Sequence, residues 1–341
     1  MKTKGKATSF DIAHYAGVSQ STVSRALRNS PLVNEETRKK VFEIAKQLNY
    51  KVDKNASNLR TQQSATLAIL LFEDPTGDES QINPFFLNML GSITRACAKE
   101  GYDLLVSFQS ASQDWRAEYE DSHRADGIIL LGYGDYMDYQ SRLQNLLSQN
   151  TKFVCWGATV EGRPDLTVSC DNYGGGQLAA HHFVSCNRTH CVFIGDASEH
   201  SPEFLTRFKG FKDTLDQHQI SLGERCVANA ISTEDSGYHA TRSLLANNVA
   251  FNALFAASDL IAIGAIKALK EAGLRVPEDV NVIGFDNIAA ANYISPSLTT
   301  VQQNTTLAGQ MLVQNLLALI RGEQITDTLL PPKLILRQST S

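Results

Sequence analysis

Short apolar runs recur from Thr66 almost to the end of the chain, and helix-length amphipathic segments separate them. The runs are TLAILLF, YDLLVSF, GIILLG, KFVCW, LTVSC, HCVFIG, ALFAAS and VNVIGF. Continuous apolar runs of this length are typical of strands buried on both faces of a parallel sheet, with helices packed on each side. The pattern therefore predicts an α/β fold.

This α/β region is long for a single sheet. It extends from Thr66 to the C-terminus, so we expect two similar α/β lobes rather than one. The carboxyl ends of parallel strands gather ligand-binding groups, and in a two-lobed protein both sets of ends face a cleft. The sequence thus predicts a ligand site between the lobes.

Charge is distributed unevenly along the chain. The first 62 residues hold twelve Lys and Arg against five Asp and Glu, a net charge of +7, whereas the remainder holds 19 against 31, a net charge of −12. A basic head on an acidic body favours a nucleic-acid contact confined to the head, because only there does binding release counterions. A solvated basic tail is the alternative that charge alone leaves open.

The basic head carries the signals of three short helices. Thr8 followed by Asp11 resembles a capping box, Gly17 supplies a turn, and Ser19 and Asn34 can each cap the next helix. Two short helices around a glycine turn, braced by a third, form a helix-turn-helix. The residues predicted to face its core are Ile12, Ala13, Ala16, Val23, Ala26, Leu27, Val41, Ile44, Ala45 and Leu48.

The outer face of the second predicted helix is wholly polar. Hydroxyls and backbone N–H groups at its start can anchor phosphates, while Gln20, Ser21 and Arg25 extend far enough to read base edges in a major groove. The alternative is that the hydroxyls only cap the helix and Arg25 is only solvated. The turn, the charge and the third helix favour DNA contacts, which we assign to Thr8, Ser19, Gln20, Ser21, Thr22, Ser24, Arg25 and Asn34.

Residues 8–62 resemble the headpiece of the lactose-repressor (LacI/GalR) family of bacterial transcription regulators, and the similarity continues to the C-terminus. The resemblance implies that Gln20, Ser21 and Arg25 occupy the base-reading positions. It places three hydroxyl residues nearer the DNA backbone, namely Ser19, Thr22 and Ser24.

The resemblance also implies a hinge helix that forms only on operator DNA, at the sequence NASNLRT. Ala56 and Leu59 would then enter the minor groove, with Leu59 as the apolar wedge that unstacks a central base step. Ser57 departs from the family, which usually has arginine after the hinge alanine. Without the family, the segment has the composition of a polar linker.

For the body, the resemblance implies the architecture of a type I periplasmic sugar-binding protein with three crossovers between lobes. We expect a helix-turn-helix headpiece at 1–52, a hinge helix and linker at 53–65, and an effector-binding and dimerisation domain at 66–341. The N-lobe would comprise about 66–158 and 290–320, and the C-lobe about 159–289 and 321–341. The predicted fold class is a small all-α headpiece plus a two-lobed α/β body.

Residues at predicted strand ends and helix starts are candidates for binding an effector in the cleft. An aromatic ring can stack on the apolar face of a sugar, and in INPFF we favour Phe86 for this role. Arg207 can clasp vicinal hydroxyls or a carboxylate, and Asp286 can accept hydrogen bonds from hydroxyls; the resemblance assigns both to effector binding. Trp156 ends another strand and would be a contact or part of the cleft wall.

The sequence ASDL departs from the family, because Ser258 stands where many relatives carry Asn. Ser258 would touch the ligand through a shorter group, and Asp259 is expected to cap the following helix. Each candidate also has a purely structural alternative. The phenylalanines could be core residues, Arg207 could form a surface salt bridge, and Asp286 could cap a turn or helix.

Other classes of protein find little support. The apolar runs are far too short to span a bilayer, and the N-terminus lacks the apolar core of a secretory signal, so we expect a cytoplasmic protein. Six scattered cysteines without a CxxC pair predict no disulfide and no zinc site, and His181 and His182 lack partners at metal-ligand spacing. The cluster YGGGQ matches no nucleotide-binding motif, and we expect neither cofactor nor catalytic residues.

These observations favour a homodimeric transcription regulator, a repressor released from double-stranded operator DNA by a sugar or sugar derivative. The family contains corepressed members too, so the sign of the response stays open. A sugar-binding protein or α/β enzyme without DNA function is one alternative, but it would lack the basic head or require an acid/base pair. A regulator modulated by a partner protein is another. The chain stops at LILRQSTS, soon after its last predicted strand and without the leucine heptad helix that tetramerises the lactose repressor, which favours a dimer over a tetramer.

Overall fold

The computed structural model describes residues 7–27, 29–50, 64–72, 82–108, 114–132, 136–158 and 167–340. The chain divides into two compact units, Met1–Ser64 and Ala65–Ser341, and each has its own apolar core. Every helix within these described ranges is too short or too polar to cross a membrane.

The described part of the first unit contains three helices: α1 (Ser9–Ala16), α2 (Gln20–Leu27) and α3 (Glu35–Gln47). The predicted capping box of α1 is present, because Thr8 accepts from the Asp11 N–H and the Asp11 carboxylate accepts from the Thr8 N–H at 2.7 Å. Gly17 ends α1 with φ 68°, a left-handed conformation that favours glycine. The residues predicted to face inward form the core, with Ile12, Val23, Ala26 and Val41 fully buried.

The second unit is built on twelve described strands. They are β1 (Thr66–Leu71), β2 (Asp103–Phe108), β3 (Gly127–Leu131), β4 (Phe153–Trp156), β5 (Thr167–Cys170), β6 (Cys191–Ile194), β7 (Val227–Ala228), β8 (Ala253–Ala256), β9 (Asn281–Asp286), β10 (Thr299–Gln302), β11 (Thr328–Leu330) and β12 (Lys333–Ile335). All eight predicted apolar runs form strands. β7, β10, β11 and β12 were not predicted.

The strands form two sheets of six. The first has the order β11-β5-β4-β3-β1-β2 and is parallel throughout. The second has the order β12-β10-β9-β8-β6-β7 and is parallel except for β12, which runs antiparallel to β10. The predicted two-lobed α/β body is therefore observed, with one sheet in each lobe.

The chain crosses between the sheets later than the sequence predicted. Strand β5 was placed in the C-lobe but pairs with β4 of the first sheet. Strand β10 was placed in the N-lobe but pairs with β9 of the second, and β11 was placed in the C-lobe but pairs with β5. The predicted lobe boundaries are wrong at these strands, because an apolar run identifies a buried strand without identifying the sheet that accepts it.

Helices cover both sheets. They are α4 (Pro84–Glu100), α5 (Tyr136–Ser148), α6 (Asn172–Ser185), α7 (Pro202–Gln217), α8 (Glu234–Ala246), α9 (Asp259–Glu271), α10 (Ala290–Tyr293) and α11 (Thr305–Ile320). Helix α4 packs against α11 over the first sheet, whereas α6 packs against α7 and α8 against α9 in the second lobe. The amino ends of α4 and α7 carry the candidate cleft residues.

The glycine cluster YGGGQ brings two of these helices close together. A Cβ added to Gly176 of α6 would lie 2.1 Å from the carbonyl oxygen of Arg207, and one added to Gly210 of α7 would lie 2.0 Å from that of Tyr173. Only glycine fits at either position, because the opposing atoms belong to a rigid helix backbone. The close approach sets α6 directly beside the backbone of Arg207.

Candidate DNA interface and ligand cleft

Helix α2 presents a polar face to solvent and an apolar face to the core of the first unit. Gln20, Ser21 and Arg25 are exposed, while Val23 and Ala26 are buried beneath them. Gln20 and Ser21 are adjacent at the start of this eight-residue helix, and Arg25 follows about one turn later. Its free face therefore offers an amide, a hydroxyl and a guanidinium, three groups that read base edges in a major groove.

Hydroxyl groups cluster at the start of α2. The Ser19 Oγ accepts from the Thr22 N–H at 3.2 Å, which makes Ser19 the cap that the sequence predicted. It also lies 2.8 Å from the hydroxyls of both Ser21 and Thr22. The Gln20 amide donates to the Ser9 hydroxyl at 3.1 Å and so is held across the turn to α1. This end of α2 combines hydroxyls with the N–H groups of a helix start, a combination suited to a phosphate.

The remaining predicted DNA contacts occupy different settings. Thr8 and Asn34 are exposed caps at the starts of α1 and α3, and the Asn34 Oδ1 accepts from the Thr37 N–H at 2.8 Å. Ser24 is half-buried on α2, beside the exposed Arg25. Ala56 and Leu59, the predicted minor-groove residues of the hinge, lie outside the described residues.

Arg207 of α7 is fully buried in the second lobe. Its Nε donates to the Asn172 Oδ1 at 2.8 Å and its Nη1 to the Ala257 carbonyl oxygen at 2.5 Å. The guanidinium carbon also lies 3.8 Å from the centre of the Phe285 ring. The structural alternative of a surface salt bridge is therefore wrong, because the cation is fully buried and these three groups of the interior position it.

Asp286 lies at the carboxyl end of β9, as predicted, and its side chain is also buried. Its Oδ1 accepts from the Gln303 Nε2 at 2.6 Å and lies 3.9 Å from the Arg207 Nη1. The backbone of Asp286 has φ 109°, a left-handed conformation that is unfavourable for a side chain of this kind, and Asn287 follows with φ 57°. Such strain persists only where surrounding contacts impose it, and it is concentrated at functional sites.

Asp259 stabilises the strained turn through two hydrogen bonds. Its Oδ2 accepts from the Ile288 N–H at 2.8 Å and its Oδ1 from the Thr300 hydroxyl at 2.5 Å. Burial raises the pKa of the Asp259 carboxyl well above its ordinary value, and the charge of Asp286 raises it further. Arg337 secures the turn from another side by donating to the Asn287 Oδ1 at 2.7 Å.

The predicted cap of α9 is wrong by one residue. Ser258 is the N-cap, with extended backbone and an Oγ that accepts from the Ile261 N–H at 3.4 Å. Asp259 is the first residue inside the helix, where its carboxylate is directed to Ile288 and Thr300 instead. Both Ser and Asp are good caps, so the sequence alone did not distinguish them.

Among the described residues, the following hydrogen bonds connect the two lobes. The Asn83 Nδ2, at the cap of α4, donates to the Ser232 Oγ at 3.2 Å, and Ser232 donates to the Ser258 Oγ at 2.8 Å. In the second connection, the Glu203 Oε1 in the first turn of α7 accepts from the Ala158 N–H, beyond β4, at 3.0 Å. Ser258, a predicted effector contact, takes part in the first of these connections.

The aromatic candidates pack together on the N-lobe side. Phe85 stacks edge-on against Phe86 with ring centres 5.1 Å apart and lies 6.0 Å from the Trp156 ring. Phe86 is 4% exposed and Trp156 is 5% exposed. Both belong to the apolar core of the body, so their contact with an effector stays a prediction.

Sequence reasoning missed several polar residues that contact the candidate effector residues or connect the lobes: Asn83, Asn172, Glu203, Ser232 and Gln303. One signal could have identified Glu203, which precedes Arg207 by four residues and therefore shares its face of α7. Asn172 and Gln303 are recognisable only from their contacts with Arg207 and Asp286, because helix packing and strand pairing bring them there.

Known proteins share both parts of this architecture. A family model described as bacterial regulatory proteins, lacI family, matches residues 10–53, and one for a periplasmic binding protein-like domain matches residues 180–340. The chain is 32% identical to the probable HTH-type transcriptional repressor ExuR of Bacillus subtilis (strain 168), across 91% of this chain and 90% of the relative. It is 30% identical to the HTH-type transcriptional regulator AscG of Escherichia coli (strain K12), across 96% and 94%.

Solved structures show the same similarity over nearly the whole chain. The fold is similar to that of the lac repressor dimer bound to operator and the anti-inducer ONPF, with a TM-score of 0.82, 25% identity, and coverage of 98% of this chain and 99% of the other. It is also similar to the transcriptional regulator CelR in its complex with cellobiose, with a TM-score of 0.73, 27% identity and the same coverage of 98% and 99%.

Proposed function

The chain belongs to the lacI family of bacterial regulatory proteins, and on that basis we propose that it represses carbohydrate-utilisation genes until a sugar or sugar derivative releases it from its operator. It is a DNA-binding transcription regulator that responds to a small molecule. The proposed active form is a homodimer in the cytoplasm, with two headpieces on a pseudo-palindromic operator, because two half-sites require two recognition helices.

In this proposal α2 is the recognition helix. Gln20, Ser21 and Arg25 read base edges, because they form its exposed face over a buried apolar side. The hydroxyls and helix caps near the DNA backbone bind phosphates, through Thr8, Ser19, Thr22, Ser24 and Asn34. Ala56 and Leu59 enter the minor groove when operator DNA orders the hinge.

The effector binds between the lobes, where Arg207 and Asp286 supply polar contacts together with Ser258, and Phe86 and Trp156 supply apolar ones. The observation that carries this assignment is the buried pair of Arg207 and Asp286, whose carboxylate sits on a strained backbone. Burying two charges costs free energy that apolar side chains of similar size would not, and the strain adds about 1–3 kcal/mol. A ligand site explains both costs, and a purely structural role explains neither.

The chemistry of the relatives supports a carbohydrate effector. CelR is solved with cellobiose, and a lacI family regulator of Enterococcus faecium similar to this chain is solved with ribose. Neutral sugars present vicinal hydroxyls, which match a guanidinium that donates and a carboxylate that accepts.

Release from DNA requires the effector to favour one arrangement of the lobes. A ligand that binds the DNA-releasing arrangement more tightly shifts the population toward it, by an amount set by the difference in its two affinities. Hinge ordering and minor-groove insertion then become less favourable, and the protein dissociates from the operator.

The test begins with the full chain and a pool of random-sequence duplexes. Repeated selection should enrich a pseudo-palindromic operator, which Arg25→Ala protein should no longer prefer. A panel of mono- and disaccharides and their phosphates is then screened for an increase in Tm, and each hit is titrated into the labelled operator complex. A hit that lowers operator affinity supports the proposal. A hit that strengthens operator binding would show corepression and contradict the proposed release. If no sequence is enriched from the pool, the assignment of sequence-specific DNA binding is wrong.

A further inference from the structure

A cavity separate from the proposed effector site lies between helices α4 and α11 of the N-lobe, and we call it the α4–α11 groove. Its volume of about 520 Å³ lies within the range of roughly 300–1,000 Å³ that is usual for small-molecule sites. The two helices pack closely at Gly309, where an added Cβ would lie 2.7 Å from the Ser92 Cβ. Gly91 keeps the groove open beside this contact, because a Cβ added there would meet nothing within 4 Å.

Two cations line the α4 side of this groove. Arg95 and Lys99 lie four residues apart on α4 and therefore on one face, and both are exposed. Within the described ranges, neither side chain pairs with an acidic group. Glu100 is the one acidic residue among the described lining residues, and its charge also acts on Arg321 at the end of α11. The groove thus holds a local excess of positive charge on a body whose net charge from residue 63 onward is −12, which favours an anion at this place.

The rest of the groove is lined mainly by neutral polar groups. Helix α11 contributes Gln310 and Gln314, which are exposed and have the same four-residue spacing as the two cations. Asn88 of α4 and Thr306 in the first turn of α11 add an amide and a hydroxyl. Amides and hydroxyls both donate and accept hydrogen bonds, so these groups suit a ligand that carries hydroxyls of its own.

From this arrangement we propose that the α4–α11 groove binds a small phosphorylated metabolite that carries several hydroxyl groups. A phosphate ester carries up to two negative charges, which Arg95 and Lys99 match, and the guanidinium can donate to two phosphate oxygens at once. The hydroxyl-bearing part of the ligand then lies along the amides of α11. None of the residues that line the groove is a candidate effector residue, so this inference does not depend on the proposed effector.

Two other roles for the groove make different predictions. If Arg95 and Lys99 are only solvated, no phosphorylated compound depends on them for binding. If a second copy of the chain covers the groove, then filling the groove lowers the oligomeric state of the protein.

The experiment measures binding to the full-length protein by isothermal titration calorimetry at constant ionic strength. The probes are inorganic phosphate, glucose 6-phosphate and fructose 1,6-bisphosphate, with glucose and fructose as their uncharged counterparts. Arg95→Gln and Lys99→Gln each remove one charge and keep a polar side chain. The matched control is Lys209→Gln, because Lys209 is an exposed lysine on α7 in the other lobe.

A further variant fills the groove without changing its charge. Gly91→Leu places an apolar side chain in the groove, and it should fold normally because a Cβ at this helical position meets nothing within 4 Å. Hydrogen–deuterium exchange with and without each probe reports where the probe binds. Analytical ultracentrifugation of each variant reports its oligomeric state.

We expect at least one phosphorylated sugar to bind the wild-type protein and to slow exchange in peptides covering residues 87–100 and 306–314. Its affinity should fall about fivefold or more in Arg95→Gln and in Lys99→Gln, should be lost in Gly91→Leu, and should be unchanged in Lys209→Gln. Any binding of glucose or fructose, which the proposed effector cleft can hold, should be the same in all four variants.

Three results would overturn the inference while leaving the proposed effector site intact. The first is a wild-type protein that binds none of the phosphorylated probes. The second is a phosphorylated probe whose affinity is the same in wild type, Lys99→Gln and Gly91→Leu, because that probe binds elsewhere. The third is a lower oligomeric state in Gly91→Leu, which would assign the groove to an interface between copies of the chain.

Discussion

The Arg207 Nη1 lies 3.9 Å from the Asp286 Oδ1, and both side chains are buried within the second lobe. Helix packing brings Arg207 to this point through the facing glycines of α6 and α7, whereas Asp286 reaches it from the end of β9. A cation and a carboxylate from different parts of the chain are thus fixed beside each other. The proposed effector contacts depend on this pair more than on any other.

Replacing Asp286 should separate effector response from DNA binding. In Asp286→Ala the hydroxyls of the effector lose an acceptor. Arg207 also loses its opposing charge, and removing one member of a buried ion pair lowers the free energy of unfolding by about 3–5 kcal/mol. We expect operator affinity to persist, because the headpiece has its own core, while the effector no longer releases the operator. Fluorescence anisotropy with operator DNA and calorimetry with the identified effector measure the two properties.

The matched control for this variant is Asp213→Ala, an exposed carboxylate on the outer part of α7. Its effector affinity should equal that of wild type. Normal effector affinity in Asp286→Ala protein that remains folded would remove Asp286 from the site.

Arg25→Ala should weaken specific operator binding by about 1–3 kcal/mol, because a guanidinium that reads a base edge contributes that much discrimination. The fold should be unaffected, since Arg25 is exposed on α2 and the core residues lie on the opposite face. Lys46→Ala, on the exposed side of α3, is the control for loss of a positive charge. Competition assays against random duplexes give the specificity; an Arg25→Ala protein with the specificity of the Lys46→Ala protein contradicts the recognition-helix assignment.

Local signals in the sequence were sufficient for the headpiece but not for the details of the body. Thr8, Gly17 and Asn34 act through residues within four positions along the chain, so their capping and turn roles are readable directly. Eight of the twelve described strands of the body were also recognisable from their apolar runs. The two-lobed architecture follows from their number and from the family resemblance.

What the sequence did not reveal depends on contacts between distant segments. The assignment of β5 and β10 to their sheets is decided by pairing partners that share the same apolar pattern. Gln303 reaches Asp286 because β10 lies beside β9, a strand neighbour that was not predicted. The cap of α9 was misassigned to Asp259 for the same reason. The Asp259 carboxyl bonds to Thr300 and Ile288, which are distant in sequence, and Ser258 caps the helix instead.

Adding a methyl group at the crossing of α6 and α7 should destabilise the body. In Gly210→Ala the new Cβ would meet the backbone oxygen of Tyr173 at 2.0 Å, so the helices must separate. Overpacking of this kind costs about 1–3 kcal/mol, and effector affinity should fall because Arg207 moves with α7. Gly223→Ala is the control, because a Cβ there meets nothing within 4 Å and the backbone φ is −71°. Urea unfolding of both variants tests this, and equal stabilities would contradict the close packing.

The Asp259 carboxyl should make the stability of the body depend on pH with a sign opposite to that of most acidic residues. Burial raises its folded pKa well above the ordinary value of 3.8, so the folded state retains a proton that the unfolded state loses. The resulting stabilisation is complete below that ordinary pKa and is lost as the pH rises toward the folded pKa. Asp279 provides the opposite case, since its hydrogen bonds from Arg275 lower its pKa to about 2.

Asp259→Asn should therefore abolish this part of the pH dependence. Asparagine resembles the protonated acid, because its oxygen can accept from the Ile288 N–H while its amide donates to the Thr300 hydroxyl, the two partners of Asp259 in the wild type. The stability of the variant relative to wild type should rise as the pH increases from about 4 to 7, a range that follows from the ordinary carboxyl pKa. In Asp279→Asn the difference in stability from wild type should change little above about pH 5, because Asp279 is ionised there in both the folded and the unfolded protein. Urea unfolding at several pH values measures both differences, and parallel curves for wild type and Asp259→Asn would mean that Asp259 is ionised in the folded protein.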